Sequence, residues 1–216
     1  MGATGRRGGS TAGAPAEPVR ARPARTPSRD VEVALVDAAE RVLVRDGPEA
    51  VTVRAVAVEA GVAPMGVYNH FGGKDGVVEQ LFVRGFHQLR EAFADVAGDD
   101  AAEDLFEAGR RYRRIALAHP AMYAVMFERA VPDFEPSPGA KSEALASFAE
   151  LVRLVQRAMD TGVIAEADPV DVAQGIWSLC HGQVSLELRG IGFVEDLDAH
   201  HERVMRAMLR GLQAPA

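Results

Sequence analysis

From residue 30 onward, apolar residues recur three and four positions apart through nearly the whole chain, and no strand-like alternation interrupts them. That pattern predicts an all-α protein. The first helix is expected from about Asp30 to Arg45, apolar on Val33, Leu35 or Val36, Ala39 and Val42 to Val44, and is closed by Asp46-Gly47-Pro48. Two short helices follow between Thr52 and Phe71. A long one then runs from about Lys74 to Val96 and carries Val77, Leu81, Phe86, Leu89 and Phe93 at helical spacing. Gly98-Asp99-Asp100 breaks the chain. Further helices are expected over about 101–118, 121–130, 140–161, 168–189 and 195–211. Breakers separate them at His119-Pro120, Val131 to Gly139, Thr161-Gly162 and Gly190 to Gly192, with proline-rich 132–138 expected as a mobile loop. The sum is about nine helices in two domains.

The stretch Thr52 to Lys74, TVRAVAVEAGVAPMGVYNHFGGK, has the spacing of a helix-turn-helix. Ala57 is small where two helices would cross, Gly61 suits a left-handed turn, and Val67 returns an apolar side chain to the same core. Val53, Val56 and Ala60 complete the stripe. Pro64 favours a first helical position, and Phe71-Gly72-Gly73 stops the second helix after about two turns. So short a helix is stable only when packed, which leaves its outer face free for a DNA major groove.

Ala60-Gly61-Val62, Val67-Tyr68-Asn69-His70-Phe71 and Gly73-Lys74-Asp75 together resemble the DNA-binding domain of the TetR (tetracycline-repressor) family of bacterial transcription regulators. Near the other end, Trp177, His181 and Gly182 resemble the Trp-His-Gly signature of one TetR subgroup's C-terminal domain, and HPAMYAVMF at His119 to Phe127 extends the likeness. The resemblance implies nine helices, a homodimer on palindromic double-stranded DNA, and a small-molecule pocket in the second domain. Matched positions imply phosphate contacts from Thr52, Tyr68 and Lys74, and a base contact from Arg54. Asn69 is suited to adenine, while Ala63, Pro64, Met65 and Gly66 offer apolar contact such as a thymine methyl. His70 serves either DNA or packing beside Phe71. Ala63 departs from the family's usual serine cap, a loss of about 1 kcal/mol partly offset by Pro64.

Charge complicates that picture. The net charge is −7, and residues 1–29 hold six arginines against Glu17, or +5, so the remainder carries −12. Bulk attraction to DNA therefore cannot come from the folded body, and must come from local surface, helix N-termini and hydroxyls. The Gly-, Ala-, Pro- and Arg-rich residues 1–28 read as a disordered arm, either a solvated tail or an accessory contact to phosphates or the minor groove. Residues 29–75 are expected as the DNA-binding domain, 76–98 as a connecting helix, and 99–213 as the ligand-binding and dimerisation domain. No apolar run reaches the ~18 residues of a membrane span, the N-terminus lacks the apolar core of a signal peptide, and a lone Cys180 supports no internal disulfide. The expectation is a cytoplasmic protein without membrane contact.

In the second domain, Tyr112, Met122, Tyr123, Met126, Phe127, Phe148, Trp177 and His181 form an aromatic and methionine-rich set across four helices, which the resemblance assigns to a pocket for a small, largely apolar ligand. The helix over 168–189 is apolar nearly all round, so one side is expected to meet a second copy. Ile176, Leu179, Gln183 and Leu186 of that helix, with Val204, Met205, Met208 and Leu212 of the final helix, are the expected dimer contacts. Arg110, Arg111, Arg113 and Arg114 read as a solvated face. The reading is a regulator, a repressor released by its ligand. The alternative is a helical small-molecule-binding protein or an enzyme using the Trp177/His181 pocket. Cys180 and His181 lie ~100° apart on one helix, and His200, His201 and Glu202 diverge rather than converge, so no catalytic set, metal site or cofactor is expected.

Overall fold

A computed structural model describes residues 1–2 and 28–213, so the arm expected over 1–28 lies almost entirely outside the described residues. Among them are nine α-helices and no strand: α1 (Ser28–Asp46), α2 (Val53–Ala60), α3 (Pro64–Phe71), α4 (Lys74–Ala94), α5 (Ala101–Ala118), α6 (Pro120–Phe127), α7 (Pro138–Asp160), α8 (Pro169–Leu188) and α9 (Leu197–Leu212). Side chains cap most of the starts. The backbone N–H of Ala55 donates to Thr52 Oγ1 (3.2 Å), that of Ala102 to Asp100 (2.8 Å), and that of Ala199 to Asp196 (2.8 Å). Gly61, at φ 68°, closes α2 in the left-handed conformation, and the N–H of Val62 reaches back to the Ala57 carbonyl (2.9 Å).

Two apolar cores organise the molecule. In the first, Leu35, Ala39, Val42 and Leu43 of α1 meet Val56, Ala57 and Val67 of the helix-turn-helix, together with Val77, Leu81 and Phe82 of α4. Met122 and Val125 of α6 also belong to it. The second gathers α5, α7, α8 and α9 around Leu105, Leu154, Val155, Ile176 and Met205. α4 serves both, because Phe82 and Phe86 lie in the first core and Leu89 and Phe93 in the second. It packs most extensively on α7. Displacement of α7 is thus felt by the helix that begins directly after α3.

Polar ties fix α4 along its length. Arg84 pairs with Asp37 and Glu40 of α1 (2.7 and 2.8 Å), and Arg90 pairs with Glu143 of α7 (3.1 Å). Glu79 holds the start of α7, accepting from both the backbone N–H and the hydroxyl of Ser137 (3.0 Å each).

Three expectations are corrected. The 132–138 segment is anchored, not free. Val131 is buried, the Phe134 ring lies 6.2 Å from that of Phe82, and Ser137 is held by Glu79. Three of the four α5 arginines are not a solvated face either, and only Arg114 is exposed. Arg110 bonds Glu103, Glu107 and Glu202, Arg111 donates to the Ala92 carbonyl (2.8 Å), and Arg113 joins Glu187 (2.6 Å) to Asp198 (2.5 Å). Acids on α8 and α9 turn what looked like a basic stripe into interhelical ties. α6 also ends at Phe127, short of the expected residue 130.

Candidate nucleic-acid interface and apolar cavity

The outer face of α3 presents Ala63, Pro64, Met65, Tyr68 and Asn69 to solvent, while Val67 is fully buried beneath. Gly66 and His70 are half-buried, and the His70 ring stands 6.1 Å from that of Phe71. Ala63 makes no side-chain cap, as its methyl group dictates. Thr52 and Arg54 are exposed at the start of α2 and share one shallow concavity. Lys74 opens α4 beside the α3–α4 turn. That turn places Gly73 at φ 149°, a conformation that favours glycine, and a Cβ there would make ordinary contact with Tyr68 Cε1 at 3.8 Å. Most of the residues expected at DNA are therefore exposed on α2, α3 and the turns beside them, with Gly66, His70 and Lys74 half-buried.

The electrostatics of this side are selective. Arg41 and Arg45 of α1 both bind Glu59 of α2 (2.8 Å each), and Arg45 also binds Asp46 (2.9 Å). The Arg41 hydrogen bond first, then that of Arg45, holds the Glu59 carboxyl below its usual range. Arg54 and Lys74 have no carboxylate within ion-pair distance among the described residues. Arg41 and Arg45 are thus internally neutralised, whereas Arg54 and Lys74, the two cations expected at DNA, are not.

A cavity of about 520 Å³ opens between α4, α7 and α8. Phe86, Leu89 and Phe93 wall it from α4, Phe127 from α6, Ala144, Leu145, Phe148 and Leu151 from α7, and Trp177 from α8. Its polar lining consists of Lys141, Ser147 and Gln174. Only Phe127, Phe148 and Trp177 of the expected ligand set line it. Tyr112, Met122, Tyr123 and Met126 border a separate gap of about 20 Å³, with Phe127 between the two spaces. That gap is too small for an organic ligand. Of these two aromatic-lined spaces only the larger has the volume for an organic ligand, and it is the candidate binding site.

His181 was expected as the polar anchor of the pocket, and this is corrected. Its Nδ1 lies 2.9 Å from both the Tyr112 and Tyr123 hydroxyls, so that nitrogen is engaged within the chain, while Nε2 meets only the Tyr123 hydroxyl at 3.4 Å. It lines neither space. Burial pushes its pKa below the ordinary histidine value, and burial likewise raises the two tyrosines. His201, buried in α9 and bonded to Gln183 (3.0 Å), is depressed by burial first and by Arg113 second. A depressed pKa means the unfolded chain binds more protons. Stability is complete above the unfolded histidine pKa of about 6.5 and falls as pH drops below it. Melting followed from about pH 7.5 to about pH 5 is expected to show this loss, and His181→Asn with His201→Asn to reduce it. Equal slopes in the two proteins would remove the histidines as its cause.

On α8 and α9 the expected dimer set divides. Ile176 and Met205 are buried inside one chain, at 2% and 1% exposure, and Cys180 Sγ lies 3.4 Å from Met205 Sδ. They are core, not seam. Burial carries the Cys180 thiol up to about 12, which makes it inert as a nucleophile. Leu179, Gln183, Val204, Met208 and Leu212 are half-buried, and Leu186 is exposed. Among the described residues no group of histidine, cysteine or acidic side chains could hold a metal ion. No helix there is long and apolar enough to cross a membrane.

Comparison with known proteins places this geometry. Residues 35–81 match the family described as bacterial regulatory proteins, tetR family, and residues 105–212 match the tetracyclin repressor-like C-terminal domain. The chain is 27% identical over 152 residues to the uncharacterized HTH-type transcriptional regulator YobS of Bacillus subtilis, covering 68% of this chain and 74% of that protein. It is 25% identical over 112 residues to the HTH-type transcriptional regulator Rv1816 of Mycobacterium tuberculosis, spanning half of this chain and 48% of that one. A structure from Rhodococcus sp. RHA1, a protein with unknown function, superposes with a TM-score of 0.76 at 25% identity, covering 85% of this chain and 96% of the other.

Proposed function

The chain belongs to the TetR family of bacterial regulatory proteins and is a helix-turn-helix transcriptional regulator, not an enzyme; from that premise we propose that it represses transcription as a homodimer, leaving a palindromic operator when a small, largely apolar molecule enters the α4–α7–α8 cavity. The observation that carries the proposal is the shared wall. α4 lines the cavity with Phe86, Leu89 and Phe93 and begins at Lys74, beside the turn that follows α3.

For release to follow, the ligand must bind the DNA-incompetent arrangement more tightly than the competent one. A ligand that spreads α7 from α4 strains the Glu79–Ser137 and Arg90–Glu143 ties, and so changes the separation of the two α3 helices in a dimer. A coupling of ~1–3 kcal/mol lowers DNA affinity roughly 5- to 150-fold. The dimer seam would use the outer sides of α8 and α9 at Leu179, Leu186, Val204 and Met208, with Ile176 and Met205 bracing it from within. The Trp-His-Gly subgroup assignment is proposed on Trp177, His181 and Gly182. A cytoplasmic location follows from the DNA-binding role.

On DNA, Thr52, Tyr68 and Lys74 are proposed as phosphate contacts and Arg54 with Asn69 as base contacts. Lys74→Ala tests the face. It should weaken binding to operator and unrelated duplex alike, and reduce the salt slope by about one unit. A variant with altered sequence preference and an intact slope would show that Lys74 touches no phosphate.

A further inference from the structure

We propose that the α4–α7–α8 cavity selects an amphipathic anion, with an apolar chain among its aromatic walls and a carboxylate or similar monoanionic head on Lys141 at its mouth. This rests on the cavity's being the effector site. Phe86, Phe93, Phe127, Phe148 and Trp177 supply the walls. Two of the three polar side chains in the lining are already engaged. The Ser147 hydroxyl donates to the Ala144 carbonyl (2.8 Å), and the Gln174 amide donates to Ser178 Oγ (3.1 Å).

Lys141 is the exception. It is exposed near the start of α7, and no carboxylate lies within ion-pair distance of it among the described residues. The α7 acids that could oppose it are neutralised elsewhere, Glu143 by Arg90 (3.1 Å) and Glu150 by Arg153 (2.8 Å). Lysine lays its methylene stem on apolar surface and keeps the ammonium in water, so it can close over an apolar chain and meet a head group at the rim. The rival occupant is a lipophilic cation seated on the ring faces. No acidic side chain lines the cavity to neutralise such a cation, and Lys141 repels it. Charge therefore decides for the anion.

The test uses one alkyl chain with three heads, decanoate, decanol and decyltrimethylammonium, each titrated into the full chain. Quenching of Trp177, the only tryptophan, and calorimetry report binding. Decanoate is expected to bind tightest, about threefold to tenfold better than decanol, with an advantage that shrinks as salt rises. Lys141→Met should erase that advantage and leave decanol binding unchanged, while Lys141→Arg should retain it. Tighter binding of the trimethylammonium compound, or a decanoate preference that survives Lys141→Met, overturns the proposal. Equal affinity for decanoate and decanol sinks the head-group assignment alone and leaves the effector site standing. No binding of any of the three, by fluorescence or heat, brings down the effector site as well.

Discussion

Gly76→Ala is expected to abolish operator binding while the second core still melts cooperatively. Gly76 lies in the first turn of α4, where a Cβ would stand 1.8 Å from the Phe71 carbonyl oxygen and 2.8 Å from its carbon. Those are backbone atoms at the end of α3, so no rotamer change relieves the clash. Helix propensity alone favours alanine over an interior glycine by roughly 0.5–1 kcal/mol. Overpacking opposes it by about 1–3 kcal/mol, and against rigid backbone the upper end applies. The affordable relaxation is to move α3 away from α4 or to unwind the first turn of α4. Either shift displaces Tyr68 relative to Lys74. Losing the Tyr68 and Lys74 phosphate register together with the Asn69 base contact, the last worth about 1–3 kcal/mol, lowers affinity on the order of a hundredfold. Anisotropy with labelled operator, beside a thermal melt, decides the matter. Unchanged affinity with a raised melting temperature would show that propensity wins and that the close approach is unimportant.

The second large effect is expected at the base of α5. Asp104 is buried at 6% exposure, accepts from the Gly98 N–H (2.9 Å), and is paired with Arg157 of α7, which also donates to the Gly98 carbonyl. One ion pair thus ties the α4–α5 connection, α5 and α7. Arg157→Met leaves a buried carboxylate with a single N–H donor. Breaking a buried pair from one side costs about 3–5 kcal/mol, and the partly exposed Arg157 puts the cost near 3. At this chain length that lowers the melting temperature by about 6–12 °C. Adding Asp104→Leu to Arg157→Met should recover most of the loss, because the cost lies in the stranded charge rather than in a missing attraction. Two single variants that melt with the parent protein would show that water reaches the pair and screens it.

Helix type and boundaries were legible because local chemistry sets them. Pro64, Asp100, Ser137, Asp168 and Asp196 mark starts, and Gly61 and Gly72 mark ends, within a continuous 3.6-residue pattern. The side of the molecule that holds α3 was legible too, since an eight-residue helix with one buried valine has few ways to pack. The cavity walls were not. Phe86, Leu89 and Phe93 have the same spacing whether they meet a neighbouring helix or an empty space, and periodicity records burial without its cause. For the same reason Ile176 and Met205 suggested a partner chain when their own chain covers them. Lys141 carried no periodic signal at all. Its meaning depends on Glu143 of α7 being paired to Arg90 of α4, which is tertiary information. Glu59 likewise becomes a brake on local positive charge only once α1 and α2 are packed.

The chain contains two lysines, Lys74 and Lys141. One opens α4 beside the α3 turn and the other stands at the cavity mouth, while arginine supplies every other fixed side-chain cation. Acetylation of side-chain amines is therefore confined to those two ammonium groups, and each acetyl group removes one positive charge. Duplex would shield the first amine and an occupant of the cavity the second. Peptide mapping after a brief pulse of acetylating reagent thus reads both faces independently in the same molecule, with no engineered label.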